Sequence, residues 1–483
     1  MSARRGKEVV QRLKEHPPTL YHRGQKIEDI TTEPGIMGGV ASLASLYDHQ
    51  WEHEAVSLFT SPSSGKKVGI THIIPKTKEE LVRLGDAMHL RAEFTQGMMG
   101  RMPDYLNRAM AAYAGSAEFL DKNRDGFADN MRNYHEQLRE NDWSLTHTLI
   151  NPQINRAASM AQQKEPFLAA RVKEERDDGI VIKGARMLAT LPISDEIMVF
   201  PSTLLRSPEE DAPYAFGFAI PNNTPGLSFQ CRETVDYGRN QYDHPLGSRY
   251  EEMDAVVFFD DVFVPWERIF LYRDVALCNE AYSATGAVIY MAHQVVCKNI
   301  AKTEFLLGLA SLLVDSIGIE KFQHVQDKIS QIWINLETMK AFRFAAEQQA
   351  GPNEYGVMTP AFDPIDAARN LYPHLYPKMI EIVRQLGASG LVAMPTAADV
   401  HGPLADEIER YYQSARQDAH ERIPLFRLAW DTALSAFGAR QTHYEYYFFG
   451  DPVRMSMAVF RNHDRTQYMD TVRDFLARSV DEV

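Results

Sequence analysis

The periodicity of the chain changes twice, and this limits its fold more than any other feature. From about residue 166 to 275, apolar residues recur in steps of two between turn signals. LAARVKEE and IVIKGARM flank Asp177, Asp178 and Gly179, and Asp-Gly is a preferred hairpin dipeptide. EIMVFPSTLL, YAFGFAIP, GLSFQCRE and AVVFFDDVFVPWERIFL complete five or six short strands. Before residue 150 and after 276, apolar residues recur at helical spacing. Residues 78–96 and 103–139 predict packed helices, with Pro103 in a first turn. Residues 279–316, 325–347, 365–386 and 404–437 predict four long helices, the third interrupted by two prolines in LYPHLYPK. The expected fold is mostly α with a central β domain. An N-terminal helical domain covers 1–150, a compact antiparallel β-barrel domain 151–275, and a four-helix bundle with a tail 276–483.

Charge and cysteine narrow the function classes. Lysine and arginine number 51 against 65 aspartates and glutamates, a net charge of −14. Phosphate binding wants a basic face, so neither nucleic acid nor an anionic membrane surface is an expected partner. No run reaches ~18 uninterrupted apolar residues, and the first residues, MSARRGKEVVQRLKEHPP, lack the apolar core of a signal peptide. Cys231, Cys278 and Cys297 show no CxxC spacing, so they make neither a disulfide framework nor a four-cysteine metal site. His293 and Cys297 are four apart on a predicted helix. That spacing suits two metal ligands, and it equally suits a bundle core. The expectation is a soluble, cytoplasmic protein with no metal.

Seven motifs reach further. They are GMMGRMPDYLN (97–107), SLTHTLINPQINR (144–156), GARMLATLPISDEIMVFPSTLL (184–205), HPLGSRYEEMDAVVFFDDVFVPWERIF (244–270), ATGAVIYMAHQ (284–294), LFRLAWDTALSAFGARQ (425–441) and FFGDPVRM (448–455). In this order and spacing the chain closely resembles the flavin-dependent 4-hydroxyphenylacetate 3-monooxygenase family, large oxygenase component, over roughly residues 5–475. The resemblance implies an acyl-CoA-dehydrogenase-like fold and a homotetramer. It implies reduced FAD as co-substrate, delivered by a separate flavin reductase, together with dioxygen. The implied reaction is hydroxylation of a phenol ortho to its hydroxyl, with 4-hydroxyphenylacetate as the leading substrate. Tyrosine, a chlorophenol, a coumarate or a carrier-tethered aryl group are the alternatives within the same chemistry.

The chemistry explains the residue types. An electron-rich ring carbon must attack the distal oxygen of a flavin hydroperoxide, and phenolate is a far better nucleophile than phenol. A phenol has a pKa of ~10, so ionising it at pH 7 costs ~4 kcal/mol. Arginine supplies a permanent charge. Histidine takes a proton near neutral pH. Tyrosine adds a donor and a ring wall. Arg101, Tyr105 and His147 fit, and the resemblance implies that they surround the phenol hydroxyl. It further implies FAD contacts from Asn151, Gln153, Asn155, Arg156 and Thr190, and from the turn Gly450, Asp451, Pro452. Ser202 and Thr203 are expected at the far end of the aromatic substrate, under a loop, RSPEEDAPYA, that closes over it. QLGASG (385–390) resembles a turn that touches FAD across a subunit boundary. His293 is expected either against the substrate, as a base in some relatives, or in the bundle core. Met102 stands where Ser is common in the family.

Rival readings share the fold. A 4-hydroxybutyryl-CoA dehydratase needs three cysteines and a histidine around an iron–sulfur cluster, and no cysteine lies in GMMGRMPDYLN. An acyl-CoA dehydrogenase needs a glutamate base, and no motif commits to one. A helical scaffold would not need the flavin-facing motifs.

Overall fold

The computed structural model describes residues 2–152, 154–155, 160–202 and 205–480. Three N-terminal helices matter for the site. α1 (Lys78–Phe94) starts at a capping box, in which Thr77 Oγ1 accepts from the Glu80 N–H and the Glu80 carboxylate reaches back. α2 (Pro103–Gly115) opens on Pro103 and is buried from residue 103 to 114, so it is a core helix rather than a surface one. α3 is Phe127–Asn141.

The strands are β1 (Leu20–His22), β2 (Gln25–Lys26), β3 (Leu145–Thr148), β4 (Arg171–Arg176), β5 (Gly179–Thr190), β6 (Glu196–Val199), β7 (Phe216–Pro221), β8 (Leu227–Cys231), β9 (Asp254–Pro265) and β10 (Ile269–Tyr272). They form a six-stranded sheet, β2-β1-β8-β9-β5-β4, and a four-stranded sheet, β10-β7-β6-β3. The hairpin at Asp177 and Asp178 forms as expected, with Arg176 opposite Gly179. The expected barrel does not appear: these ten strands make two open sheets, and two further two-stranded pairs, Leu58–Thr60 with Lys67–Gly69 and Gly351–Pro352 with Met358–Thr359, stand apart from them. The physical reason lies at the edges. β10, one outer strand of the smaller sheet, packs against α3, while β3, the other, packs against α2 and meets β5 of the larger sheet through the Thr146 and Thr148 hydroxyls and the single Ile150–Met187 bridge rather than through a continuous ladder. Two pairings are parallel, β1 with β8 and β3 with β6, and each recruits a strand from the N-terminal segment. Runs of three or four residues are too short to show a period.

The C-terminal helices are α4 (Ala287–Ile317), α5 (Gln323–Gln348), α6 (Phe362–Gly387), α7 (Ala419–Ala433) and α8 (Ala436–Tyr447), with α4, α5, α6 and α7 sharing one core. The predicted helix over 279–316 is broken at Gly286, whose φ of +72° ends Val275–Ala284 and starts α4. α6 runs unbroken through Pro373 and Pro377. The prolines are four apart, so their lost hydrogen bonds fall on one side, while Tyr372, Tyr376 and Met379 stay buried in the bundle. The predicted helix over 404–437 divides into shorter pieces, the last starting where Ser435 caps Gly438. Beyond it, α9 (Pro452–Asn462) and α10 (Thr466–Val480) complete the chain's helices. No described helix is long and apolar enough to cross a membrane.

Candidate active site

The GMMGR turn is shaped by what lies behind it. A Cβ at Gly97, where φ is +67°, would fall 2.5 Å from Cβ of Lys302 on α4. A Cβ at Gly100 would fall 2.4 Å from the Tyr444 hydroxyl and 2.6 Å from its ring. Only glycine lets the backbone press this close against α4 and α8. Gly100→Ala is therefore expected to destabilise the protein by about 1–3 kcal/mol through overpacking, read from denaturant unfolding. A stability equal to the parent would show that Tyr444 swings away freely.

The turn delivers Arg101 into an aromatic box. Its guanidinium lies 4.2 Å from the ring centres of both Tyr105 and Phe448, and 5.6 Å from that of Tyr444. The Arg101 backbone N–H donates to Glu252 at 2.6 Å. Nε and Nη1 of Arg101 are buried and have no partner among the described residues. Such donors are rarely left empty without a purpose. Burial pulls the guanidinium pKa down, but Tyr105 and the other groups facing it outweigh this, and the charge stays.

His147, on β3, faces Tyr105 with ring centres 5.8 Å apart. Phe200 lies 5.8 Å from its other side, and Tyr282 lies 5.0 Å from Phe200. Burial first, and the Arg101 charge second, hold the imidazole well below its ordinary 6.5. It is neutral at pH 7, and its buried Nδ1 has no partner among the described residues. The Tyr282 and Tyr444 hydroxyls are also buried without partners there. The structure thus brings Arg101, Tyr105 and His147 together. A fixed cation, a neutral imidazole and aromatic walls suit a flat, weakly acidic ring.

The other expected residues divide. Asn151 Nδ2 donates to Ser202 Oγ at 3.4 Å, and both are buried. The bridge between Ile150 and Met187 brings this stretch beside the end of β5, where Thr190 Oγ1 donates to Asp254 at 2.7 Å. The Asn155 carbonyl accepts from Gln163 at 3.0 Å. Gln153, Arg156 and Thr203 lie outside the described residues. The loop over 206–215 is tied by Asp211, which accepts from the Arg206 and Ser207 N–H groups at 2.8 and 3.1 Å. Gly450 has a φ of +105°, Asp451 caps the Val453 and Arg454 N–H groups at 2.9 and 3.1 Å, and Pro452 opens α9. In this chain the three build a helix start.

His293 goes elsewhere. Its Nε2 pairs with Glu347 at 2.9 Å in the seam of α4 and α5, and Arg343 donates to the same Glu347 oxygen at 2.8 Å. Among the described residues no contact joins it to Arg101, Tyr105 or His147. The described His/Cys/Asp/Glu groups that converge as metal ligands would are His49, Glu52, His53 and His89, Glu93, Glu304, and neither includes His293 or a cysteine. Sequence reasoning missed Phe448, Tyr444, Phe200, Tyr282 and Glu252. The aromatic tract HYEYYFF at 443–449 was the available signal for the first two.

Residues 5–271 match the N-terminal model of the 4-hydroxyphenylacetate 3-hydroxylase family, and residues 278–477 match its C-terminal model. The chain belongs to this hydroxylase family. Among the family's curated members, the 4-hydroxyphenylacetate 3-monooxygenase oxygenase component of Geobacillus sp. (strain PA-9) is 50% identical, covering 99% of this chain and 98% of that one. A crystal structure of the oxygenase component of 4-hydroxyphenylacetate 3-monooxygenase, complexed with FAD and 4-hydroxyphenylacetate, aligns with a TM-score of 0.95 at 48% identity over 99% of each chain. An archaeal 4-hydroxybutyryl-CoA dehydratase from N. maritimus aligns with a TM-score of 0.89 at 19% identity, over 99% of this chain and 95% of that one, and shares the fold alone. The hydroxylase family's fold, with its helical, β and helical-bundle segments, is the one described above.

Proposed function

We propose that this protein is the oxygenase component of a two-component, reduced-FAD-dependent monooxygenase that converts 4-hydroxyphenylacetate to 3,4-dihydroxyphenylacetate. The carrying observation is the pairing of Arg101, with two N–H groups that lack a partner among the described residues, and a neutral His147 inside one aromatic box. Arg101 and Tyr105 hold the phenol oxygen. His147 Nδ1 takes its proton, and the resulting phenolate faces the Arg101 charge. Phe448 and Phe200 wall the site and keep water from screening that charge. Ser202, oriented by Asn151, and Thr203 meet the substrate's carboxylate tail. His293 holds the α4–α5 seam.

Reduced FAD, when bound, supplies the two electrons that reduce dioxygen, so one oxygen atom enters the ring and the other leaves as water. Asn151, Gln153, Asn155, Arg156, Thr190 and the 450–452 turn would hold it. The described surface fits such a group. Ile154 and Leu188 are apolar yet 57% and 50% exposed, which suits a flat ring, and the Thr190 oxygen keeps lone pairs free to accept.

The assembly is proposed as a homotetramer in the cytoplasm, fed by a separate flavin reductase. Two observations support this. Val453, Met457, Phe460, Tyr468, Val472 and Phe475 line α9 and α10 with exposed apolar surface, which a second copy would cover. All three cysteines are free and buried.

The test loads the protein with reduced FAD without air and mixes it with oxygenated buffer and 4-hydroxyphenylacetate. Formation of 3,4-dihydroxyphenylacetate in near-equal amount to the flavin oxidised is expected. Hydrogen peroxide alone would move the substrate to another phenol. Acyl-CoA oxidation by bound FAD would replace the reading with a dehydrogenase.

A further inference from the structure

Behind the aromatic box lies a buried ionic group that the proposed reaction does not yet use. Lys298 and Lys302, one turn apart on α4, are both fully buried. Both ammonium groups donate to the same carboxylate oxygen of Glu445 on α8, Lys302 at 2.6 Å. Lys302 also donates to Gln441 at 2.8 Å, and the Gln441 amide donates to the Met98 carbonyl at 2.8 Å. The group therefore grips the turn that carries Arg101. Lys298 completes the contact from the other direction. Its ammonium lies 4.9 Å from the Phe448 ring centre and 5.8 Å from that of Tyr444, the two rings that flank the Arg101 guanidinium.

Two lysines on one carboxylate leave a surplus positive charge away from water. Burying such a charge is costly unless something nearby uses it. Glu252 adds a more distant negative charge, but its carboxylate is already engaged by the Arg101 N–H and by Arg440 at 3.2 Å. An anion held against Arg101 would be the missing complement. Resting on the hydroxylase reading, we propose that Lys298 is a positioning residue for it: packed with Glu445 behind Phe448 and Tyr444, it fixes both rings against Arg101 and adds positive charge that favours ionised phenol.

Lys298 is also titratable in the working range. Burial brings it down to about 7; Glu445 opposes this and Lys302 adds to it. The groups facing it are Lys302 on its own helix, Glu445 on α8, and the rings of Tyr444 and Phe448, with Glu252 farther off. As pH rises through this value the surplus charge is lost, so phenol ionisation is favoured less.

The test uses the full-length protein and two variants. Lys298→Met removes the charge and leaves Lys302 and Glu445 as a balanced pair, so the fold is expected to survive. Lys298→Arg keeps a charge that does not titrate. The first readout is the apparent pKa of protein-bound 4-nitrophenol without flavin, followed by the colour of its phenolate. It should rise by about one unit in K298M and stay near the parent value in K298R. The second is catechol formed per reduced FAD from 4-hydroxyphenylacetate across neutral pH. The parent should decline through about 7. K298M should be about tenfold lower with no step, and K298R should hold the acid-side yield without the decline. An unchanged nitrophenol pKa and profile in K298M overturn the proposal. If K298M does not fold, a parental decline in K298R overturns it. No catechol from the parent at any pH would instead overturn the substrate reading, and the nitrophenol shift would still decide the role of Lys298.

Discussion

Replacing Arg101 with Ala is expected to lower the catechol yield per reduced FAD by about 10²–10³ while the fold stays intact. Ionising a phenol at pH 7 costs ~4 kcal/mol, and a cation fixed in a dry site supplies energy of that order. Lys298, behind the Phe448 and Tyr444 rings, adds to this charge only from farther off. Phe448 carries no charge, burial pushes the Tyr444 hydroxyl well above its ordinary range, and burial with the Arg101 charge keeps His147 neutral. The fold should survive because the Arg101 side chain takes part in no ion pair among the described residues, and its backbone bond to Glu252 remains in Ala. Reduced FAD should still react with oxygen, releasing hydrogen peroxide in place of product. Arg101→Lys should recover only part of the loss, because a point charge cannot lie flat against both Tyr105 and Phe448. Product analysis beside a thermal melt checks this. A near-parental catechol yield from R101A with an unchanged melt would end the assignment.

His147→Asn is expected to lower the rate of phenol hydroxylation by about 10²–10⁴, the usual range for a positioned proton acceptor. The pH profile carries a second expectation, and its sign follows from the surroundings. Lowering the pH protonates His147 and removes the acceptor. Burial and the Arg101 charge both disfavour that second cation, so the acid limb should fall well below 6.5 rather than at it. Removing the Arg101 charge should move the imidazole titration upward, which NMR of the ring protons in R101A reads without any turnover. An acid limb at 6.5, or an imidazole pKa indifferent to Arg101, would place the proton elsewhere.

Several parts of this picture were legible in the residues. The turn at Asp177 and Asp178, the first turn at Pro103 and the bundle helices over 325–347 and 365–386 follow local rules that need no partner. The switch between periods two and 3.6 separates the β segment from its flanks for the same reason. The barrel was not legible as two sheets, because β1 and β3 are too short to carry a period and pair with strands more than fifty residues away. His293 shows the limit most plainly. Its spacing from Cys297 fits a ligand pair and a core pair alike, and only the arrival of Glu347 from α5 separates them.

The motif order by itself determined the family, and the resemblance it carries pointed to three residues that the structure brings together, Arg101, Tyr105 and His147. What only the tertiary structure decided is the company they keep. Phe448 and Tyr444 come from α8 and the chain just after it, Phe200 from the end of β6, and Lys298 from α4. Their effect on Arg101 depends on distances of 4–6 Å between groups remote in sequence. Cation–ring contacts and the field of a buried charge fall off over such distances, so nothing local in the sequence encodes them.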